Sequence, residues 1–300
     1  MKTVVIFGGS GFVGRHIIRQ IAKNGYKIII PHQTQVNEEK LRFLGITGQI
    51  IPIKFRSIKD KKIINLIEIA DVVINLKTLW NEKKTSFKKG ILEFNIELIN
   101  NIKKTTQFIF FSGIGVGEKN NSNRSDAIYK SEQYIQKNLI NSIIIRSGVI
   151  MGGGDQFLKN LLPLFKRSFF IPLFGDGLSR FQPVFIDDIS QAVKKIIETN
   201  LLDKHIFEFV GSDVFTYKEL YQYLADCIEK TRIFVPISFA IAKVVVYIFE
   251  KRTFFPLNSE QLKLFENNNI ASNKHKNFKD IGINPQDLKE IIKKNFKKNI

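Results

Sequence analysis

Three glycines, Gly8, Gly11 and Gly14, follow the apolar run Val4-Val5-Ile6-Phe7 in a G-x-x-G-x-x-G spacing that suits phosphate chemistry. Glycine lets the chain turn sharply out of a buried strand, brings backbone close to a pyrophosphate, and lets the next helix pack on the sheet. The first turn of that helix offers unpaired N–H groups and partial positive charge. Gly8, Ser10, Gly11, Phe12, Val13 and Gly14 are therefore expected to cradle a dinucleotide. About twenty residues further on, an NAD site carries a carboxylate for the ribose 2′-hydroxyl. Here that stretch reads Pro31-His32-Gln33. With no acid to repel a 2′-phosphate, and with Arg15 beside Gly14 to pair with one, NADP(H) is favoured over NAD(H). For Arg15 the plain alternative is an exposed helix residue.

These residues need a scaffold, and the pattern supplies one. Strands are expected at Lys27 to Ile30, Gln49 to Lys54, Asp71 to Leu76, Gln107 to Ser112 and Ser142 to Ser147. Helices are expected at Phe12 to Lys23, Glu38 to Leu44, Ile58 to Ile69, Phe87 to Lys103 and Ala127 to Lys137. Continuous apolar strands alternating with amphipathic helices predict an α/β fold of Rossmann type, a doubly wound parallel sheet covered on both faces. His32, Leu76 and Ser112 then fall at or near strand ends, where such a sheet binds its ligand. From about Gly148 the text changes to turns and isolated strands ("GGGD", "PLFGDG", "FQPVFIDD", "FEFVG"). The expected organisation is a dinucleotide-binding domain over 1–147 and a smaller lobe over 148–300, interleaved with the last strands of the sheet.

The stretches "VVIFGGSGFVGR", "DVVINL", "IIIRSGVIMGGGDQFL" and above all "IPLFGDGLSRFQPVFIDDIS" resemble the extended and atypical short-chain dehydrogenase/reductases. "FVGSDVFTYKELYQYL", "NSEQLKLFENNNIAS" and "FKDIGINPQDLKEII" narrow the resemblance to the nucleotide-binding accessory subunits of respiratory complex I and their bacterial relatives, often labelled NAD-dependent epimerase/dehydratase. In active members a Tyr-x-x-x-Lys pair moves a proton at a substrate oxygen while the lysine binds the nicotinamide ribose. Lys130 fits the lysine, but Asp126 stands where the tyrosine belongs. Tyr129 is one helical step, about 100°, off the required face, and the register that starts from it would need a lysine at Gln133. Ser112 matches the third catalytic position, unless that position falls one residue later, on Gly113. An ionised carboxylate at Asp126 cannot donate the proton that a hydride-accepting carbonyl requires.

The resemblance thus implies a cofactor holder with respiratory subunits or quinone as partners and little turnover. Its alternative is an NAD(P)-dependent reductase, epimerase or dehydratase acting on a sugar nucleotide or small carbonyl compound. Other candidates have structural readings beside functional ones. Asp187 or Asp188 is expected to cap a helix, and Gly152-Gly153-Gly154-Asp155 to form a turn and cap or a pocket rim. Gln182-Pro183 is expected to shape a strand entry or touch the nicotinamide side. The four histidines show no metal-ligand spacing.

Composition bounds the partners. The chain has 300 residues, 44% of them hydrophobic, which allows a substantial core. A formal net charge of +18 fits an anionic surface, yet dispersed lysines and an AT-rich style of composition explain it without nucleic acid, for which no binding motif is present. Cys227 is the one cysteine, consistent with a reducing compartment, and Thr3 already opens the first strand, so a cytoplasmic location is expected. The most apolar stretch, Ile233 to Phe249, contains Pro236 and Lys243. It is too short and interrupted for a transmembrane span and is expected to be a core segment or a peripheral contact with an anionic inner-membrane surface.

Overall fold

A computed structural model describes residues 1–117, 122–250 and 257–298. Up to Ser147 strands and helices alternate: β1 (Thr3–Phe7), α1 (Phe12–Ala22), β2 (Lys27–His32), α2 (Glu38–Arg42), β3 (Ile50–Lys54), α3 (Lys61–Glu68) and β4 (Val72–Asn75). A π-helical turn (Lys88–Glu93) then runs into α4 (Phe94–Ile99), followed by β5 (Gln107–Gly113), α5 (Asn123–Asn138) and β6 (Ser142–Ser147). Beyond it come β7 (Ile150–Met151), α6 (Gln156–Arg167), β8 (Phe170–Phe174), β9 (Arg180–Phe181), β10 (Val184–Phe185), α7 (Ile186–Glu198) and β11 (His205–Phe209). The chain ends with β12 (Phe215–Thr216), α8 (Tyr217–Cys227), β13 (Ile233–Ile237), α9 (Phe239–Phe249), α10 (Ser259–Glu266), a 3-10 turn (Phe278–Ile281) and α11 (Leu288–Lys298).

The chain divides into two compact units. The first gathers Met1–Ser147, Ile186–Phe209 and Asn273–Asn284; the second gathers Gly148–Phe185, Val210–Ser272 and Pro285–Ile300. In the first, seven parallel strands lie in the order β11-β6-β5-β4-β1-β2-β3. The order reverses at β1, which has β2 on one side and β4 on the other, and this reversal opens a crevice at the carboxyl ends of the strands. Val4, Val5, Ile6 and Phe7 are at most 1% exposed, as a strand covered on both faces must be. Val5, Phe7, Val73, Phe108, Phe110 and Ile144 line one face and share a core with Ile63, Ile67, Phe94, Leu98 and Ile135 of α3, α4 and α5.

Several boundaries depart from the expected pattern, α5 starting at Asn123 instead of Ala127 among them. The helix expected from Phe87 to Lys103 opens as the π turn and stops at Ile99. The helix expected from Ile58 starts at Lys61, because Asp60 uses its carboxylate to accept the Arg56 and Ser57 amides and close a turn there. β2 extends to His32, two residues beyond its expected end.

The second unit is built on an aromatic core. Phe165, Phe181, Phe215, Tyr217, Tyr221 and Phe265 are buried together, with Phe181 stacked on Tyr217 at 4.4 Å. Its pairings are short: β8 with β13 in parallel, β7 with β10 in parallel, and β9 with β12 antiparallel.

Candidate functional site

The glycine turn is built by sterics. Gly8 has φ +79°, and a Cβ there would lie 3.0 Å from the Leu76 carbonyl carbon and the Lys77 nitrogen, so only glycine fits between the ends of β1 and β4. The Gly11 amide donates to the Gly8 carbonyl at 3.0 Å, closing the turn. A Cβ on Gly14 would sit 2.5 Å from the Gly9 Cα and carbonyl oxygen; its absence lets α1 press onto the loop. Gly11, as N-cap, places no side chain on the first amides of α1, and no acid stands in the first turn. Phe12 and Val13 are half-buried in that turn, and the Phe12 ring meets His16 edge-on at 5.3 Å. This end of α1 presents backbone amides and no acid, a setting that suits an anion.

The neighbouring strand ends are furnished differently from what was expected. Arg15 is exposed and folds back, its Nη1 donating to the Ser10 carbonyl at 2.6 Å. His32 is buried: Nδ1 lies 3.0 Å from the Thr34 carbonyl and Nε2 3.2 Å from Glu38 Oε1. A carboxylate therefore does stand beside the end of β2, but it comes from α2 and is shared with Arg42 Nη2 at 3.0 Å. Lys77, a residue sequence reasoning passed over, lies just past β4. Its Nζ donates to Gln33 Oε1 at 2.9 Å and sits 3.8 Å over the Phe94 ring, and burial pushes its ammonium down to about 8. Asn75 holds the turn beneath it, accepting the Lys77 amide and donating to buried Asn95 at 2.7 Å.

Of the candidate catalytic residues, Lys130 lies on α5, where its Nζ is paired with Asp126 Oδ2 at 2.8 Å, one helical turn apart and both about half exposed. Both line a cleft of about 310 Å³ with Glu82, Phe87, Leu92 and Asn123. Tyr129 is half-buried and acts electrostatically on Arg146 instead. Arg146 itself clamps Glu132 in two-pronged fashion, Nε at 3.0 Å and Nη2 at 2.5 Å, with Glu132 only 2% exposed. Its guanidinium is raised by that bond and by the charges of Glu132 and Glu208. At the end of β5, the Ser112 hydroxyl is buried and has no hydrogen-bond partner among the described residues. A ligand atom would satisfy it.

The remaining candidates resolve structurally. Asp155 is the N-cap of α6, accepting from the Leu158 amide at 2.7 Å and the Gly152 amide at 2.9 Å, while burial raises its carboxyl. Gln182 is a staple within the second unit, donating to the Gly211 carbonyl at 2.7 Å and accepting from the Ala271 amide at 3.1 Å. Neither Asp187 nor Asp188 is a cap, because α7 already begins at Ile186 and takes both into its first turn, where Asp187 meets His16 Nδ1 at 3.4 Å. Among the described residues no group of three His, Cys, Asp or Glu side chains is placed to hold a metal. No helix of the described residues is long and apolar enough to cross a membrane.

The model of the NAD dependent epimerase/dehydratase family matches residues 4–146. The chain is similar over nearly its whole length to curated proteins. NADH dehydrogenase (ubiquinone) 1 alpha subcomplex subunit 9 of Arabidopsis thaliana is 26% identical, over 95% of this chain and 74% of the relative. NADH-ubiquinone oxidoreductase 40 kDa subunit of Neurospora crassa is 23% identical, over 95% and 76%. Among solved structures, dTDP-glucose 4,6-dehydratase of Bacillus anthracis in complex with NAD superposes with TM-score 0.74 at 14% identity, covering 99% of this chain and 96% of that one. A human epimerase family protein with NADPH superposes with TM-score 0.68 at 17% identity, covering 99% and all of that chain. These likenesses show the fold, and the two structures differ in the dinucleotide they hold.

Proposed function

We propose that this protein is a dinucleotide-holding accessory component of a respiratory NADH–quinone oxidoreductase assembly, which keeps NADP(H) bound above the Gly8–Gly14 turn and turns it over little or not at all. The likeness to complex I subunits supports the assembly. The ion pair between Asp126 and Lys130 carries the rest, because it puts a carboxylate in place of the proton-donating phenol and occupies the lysine that would assist one. A bound nicotinamide supplies hydride transfer where an enzyme presents it with a substrate and an acid. Here the glycine turn and the orphaned Ser112 hydroxyl serve to hold the dinucleotide. Mass spectrometry of what the denatured protein releases is expected to find one equivalent of NADP(H), and added NADPH is expected to raise the melting temperature. A protein that releases nothing and melts unchanged would overturn the reading. Co-purification with respiratory membrane subunits tests the assembly.

The partner surface we assign to a peripheral contact with an anionic inner-membrane face is α9 and its approach. On α9 only Ala242 and Val246 are buried, whereas Ile241, Val244, Tyr247 and Ile248 are 58–75% exposed. Phe169, Phe170, Ile233 and Val235 on and before β8 and β13 are exposed apolar residues as well, and exposed Arg167 and Lys230 stand next to them in the chain. An apolar set bordered by cations matches an anionic interface.

The retained alternative is a working reductase, epimerase or dehydratase on a sugar nucleotide or small carbonyl compound. The cleft that Asp126 and Lys130 line is the observation in its favour. Cofactor oxidation or reduction with a candidate substrate, abolished in Lys130→Ala, would establish it against the accessory role.

A further inference from the structure

Lys77, a part-buried cation just past the end of β4, has no anion beside it among the described residues. Lys77 Nζ is hydrogen-bonded to the neutral amide of Gln33 and lies over Phe94, and no ion pair to it occurs among the described residues. Burial costs an ammonium its hydration, and a π face returns only part of it. The resulting drop to about 8 marks a charge that an incoming anion would stabilise. Placement says which anion. Gln33 directly follows β2, the position from which a dinucleotide fold reads the adenosine ribose at its 2′ position. Lys77 follows β4, on the other side of β1, and its side chain reaches the β2 end. The pyrophosphate belongs elsewhere, at the N-terminus of α1. Gln33 is itself held by its Nε2 on the Arg56 carbonyl at 3.0 Å, and the Asn75 side chain fixes the Lys77 amide. The pair is therefore anchored on both sides, Gln33 through its side-chain amide and Lys77 through its backbone amide.

We propose that Lys77, positioned by Gln33, is the residue that selects a 2′-phosphorylated dinucleotide over its unphosphorylated counterpart. This rests on the dinucleotide reading of the site and replaces Arg15, whose guanidinium is turned onto the Ser10 carbonyl, as the phosphate partner. Glu38, the carboxylate nearest the β2 end, is engaged by His32 and Arg42, so it opposes the phosphate less than a free acid would.

The test is the affinity of the full chain and of Lys77→Met, Lys77→Arg and Arg15→Gln for NADPH and NADH, titrated between pH 7 and 9.5. The native chain is expected to bind NADPH at least about tenfold tighter than NADH, as a charge-assisted contact allows. Lys77→Met should weaken NADPH about ten- to a hundredfold and NADH less than about threefold, while Lys77→Arg retains most of the preference and Arg15→Gln retains it all. Native affinity for NADPH should fall above about pH 8 as the free ammonium loses its proton, and the fall should be absent in Lys77→Arg. Equal weakening of both nucleotides in Lys77→Met, or a preference that survives that change, overturns the assignment while leaving dinucleotide binding intact. Native protein that binds neither nucleotide overturns the dinucleotide reading itself. A circular dichroism spectrum of Lys77→Met that matches the native one, with cooperative unfolding, separates lost contact from lost fold.

Discussion

Asp126 and Lys130 lie four residues apart on α5 with their charges in contact, and both remain about half exposed. Such a pair contributes at most about 0.5 kcal/mol, so Asp126→Asn is expected to leave the melting temperature nearly unchanged. Glu132 and Arg146 are the opposite case, a two-pronged pair with the carboxylate 2% exposed. Glu132→Gln removes the hydrogen-bonded counter-charge of the guanidinium and leaves the charge of Glu208 beside it, and a loss of about 3 kcal/mol in denaturant unfolding is expected. Lys77 supplies a pH signature for the apo protein. Its folded value, about 8, lies below the ordinary 10.5, so between those values the unfolded chain binds more protons and this residue's contribution to stability rises with pH. The melting temperature of native protein minus that of Lys77→Met should therefore increase from pH 8 to pH 10. Saturating NADPH should flatten that difference, because the phosphate restores the ammonium.

The β1–glycine–α1 element depends on the absence of side-chain atoms. Alanine in a helix interior ordinarily stabilises by up to about 1 kcal/mol over glycine. At Gly14 the added methyl would meet Gly9 backbone at 2.5 Å, which no rotamer relieves, so Gly14→Ala is expected to lower the melting temperature and weaken NADPH at least about tenfold. This motif was legible in sequence because most of its constraints are local, a positive φ at Gly8 and the contacts of Gly11 and Gly14 with Gly8 and Gly9, while the fit of Gly8 against Leu76 and Lys77 is set by the sheet. The same locality exposed Asp155 as a cap of α6. Asp187 and Asp188 misled for a related reason, since acids suit both the cap and the first turn, and only the backbone at Ile186 distinguishes them. The π turn at Lys88–Glu93 had no local signal; residues there follow an ordinary helical pattern, and the bulge is set by packing on Phe87 and Ile91 in the core.

For the whole molecule, charge and surface point to the same partner. A net +18 with the bare apolar face of α9 predicts binding to phosphatidylglycerol-containing vesicles over neutral phosphatidylcholine ones, weakening with salt. Val244→Asp with Ile248→Asp should abolish vesicle co-sedimentation while leaving stability nearly unchanged, because both side chains are more than half exposed. Unchanged binding in that variant would remove α9 as the contact.

By itself the amino-acid order determined what depends on near neighbours and periodicity: the alternating α/β plan, the glycine turn at Gly8, Gly11 and Gly14, and a carboxylate four residues before Lys130. The tertiary structure decided what depends on strand order. Gln33 and Lys77, 44 residues apart, meet because β1 alone separates β2 from β4 in the sheet, and Glu132 finds Arg146 because α5 packs back across β6. Arg15, adjacent to the turn in sequence, is directed back onto the loop by its own helix. Proximity in the chain cannot specify which way a long side chain points, whereas the burial and hydrogen bonds of a folded sheet do.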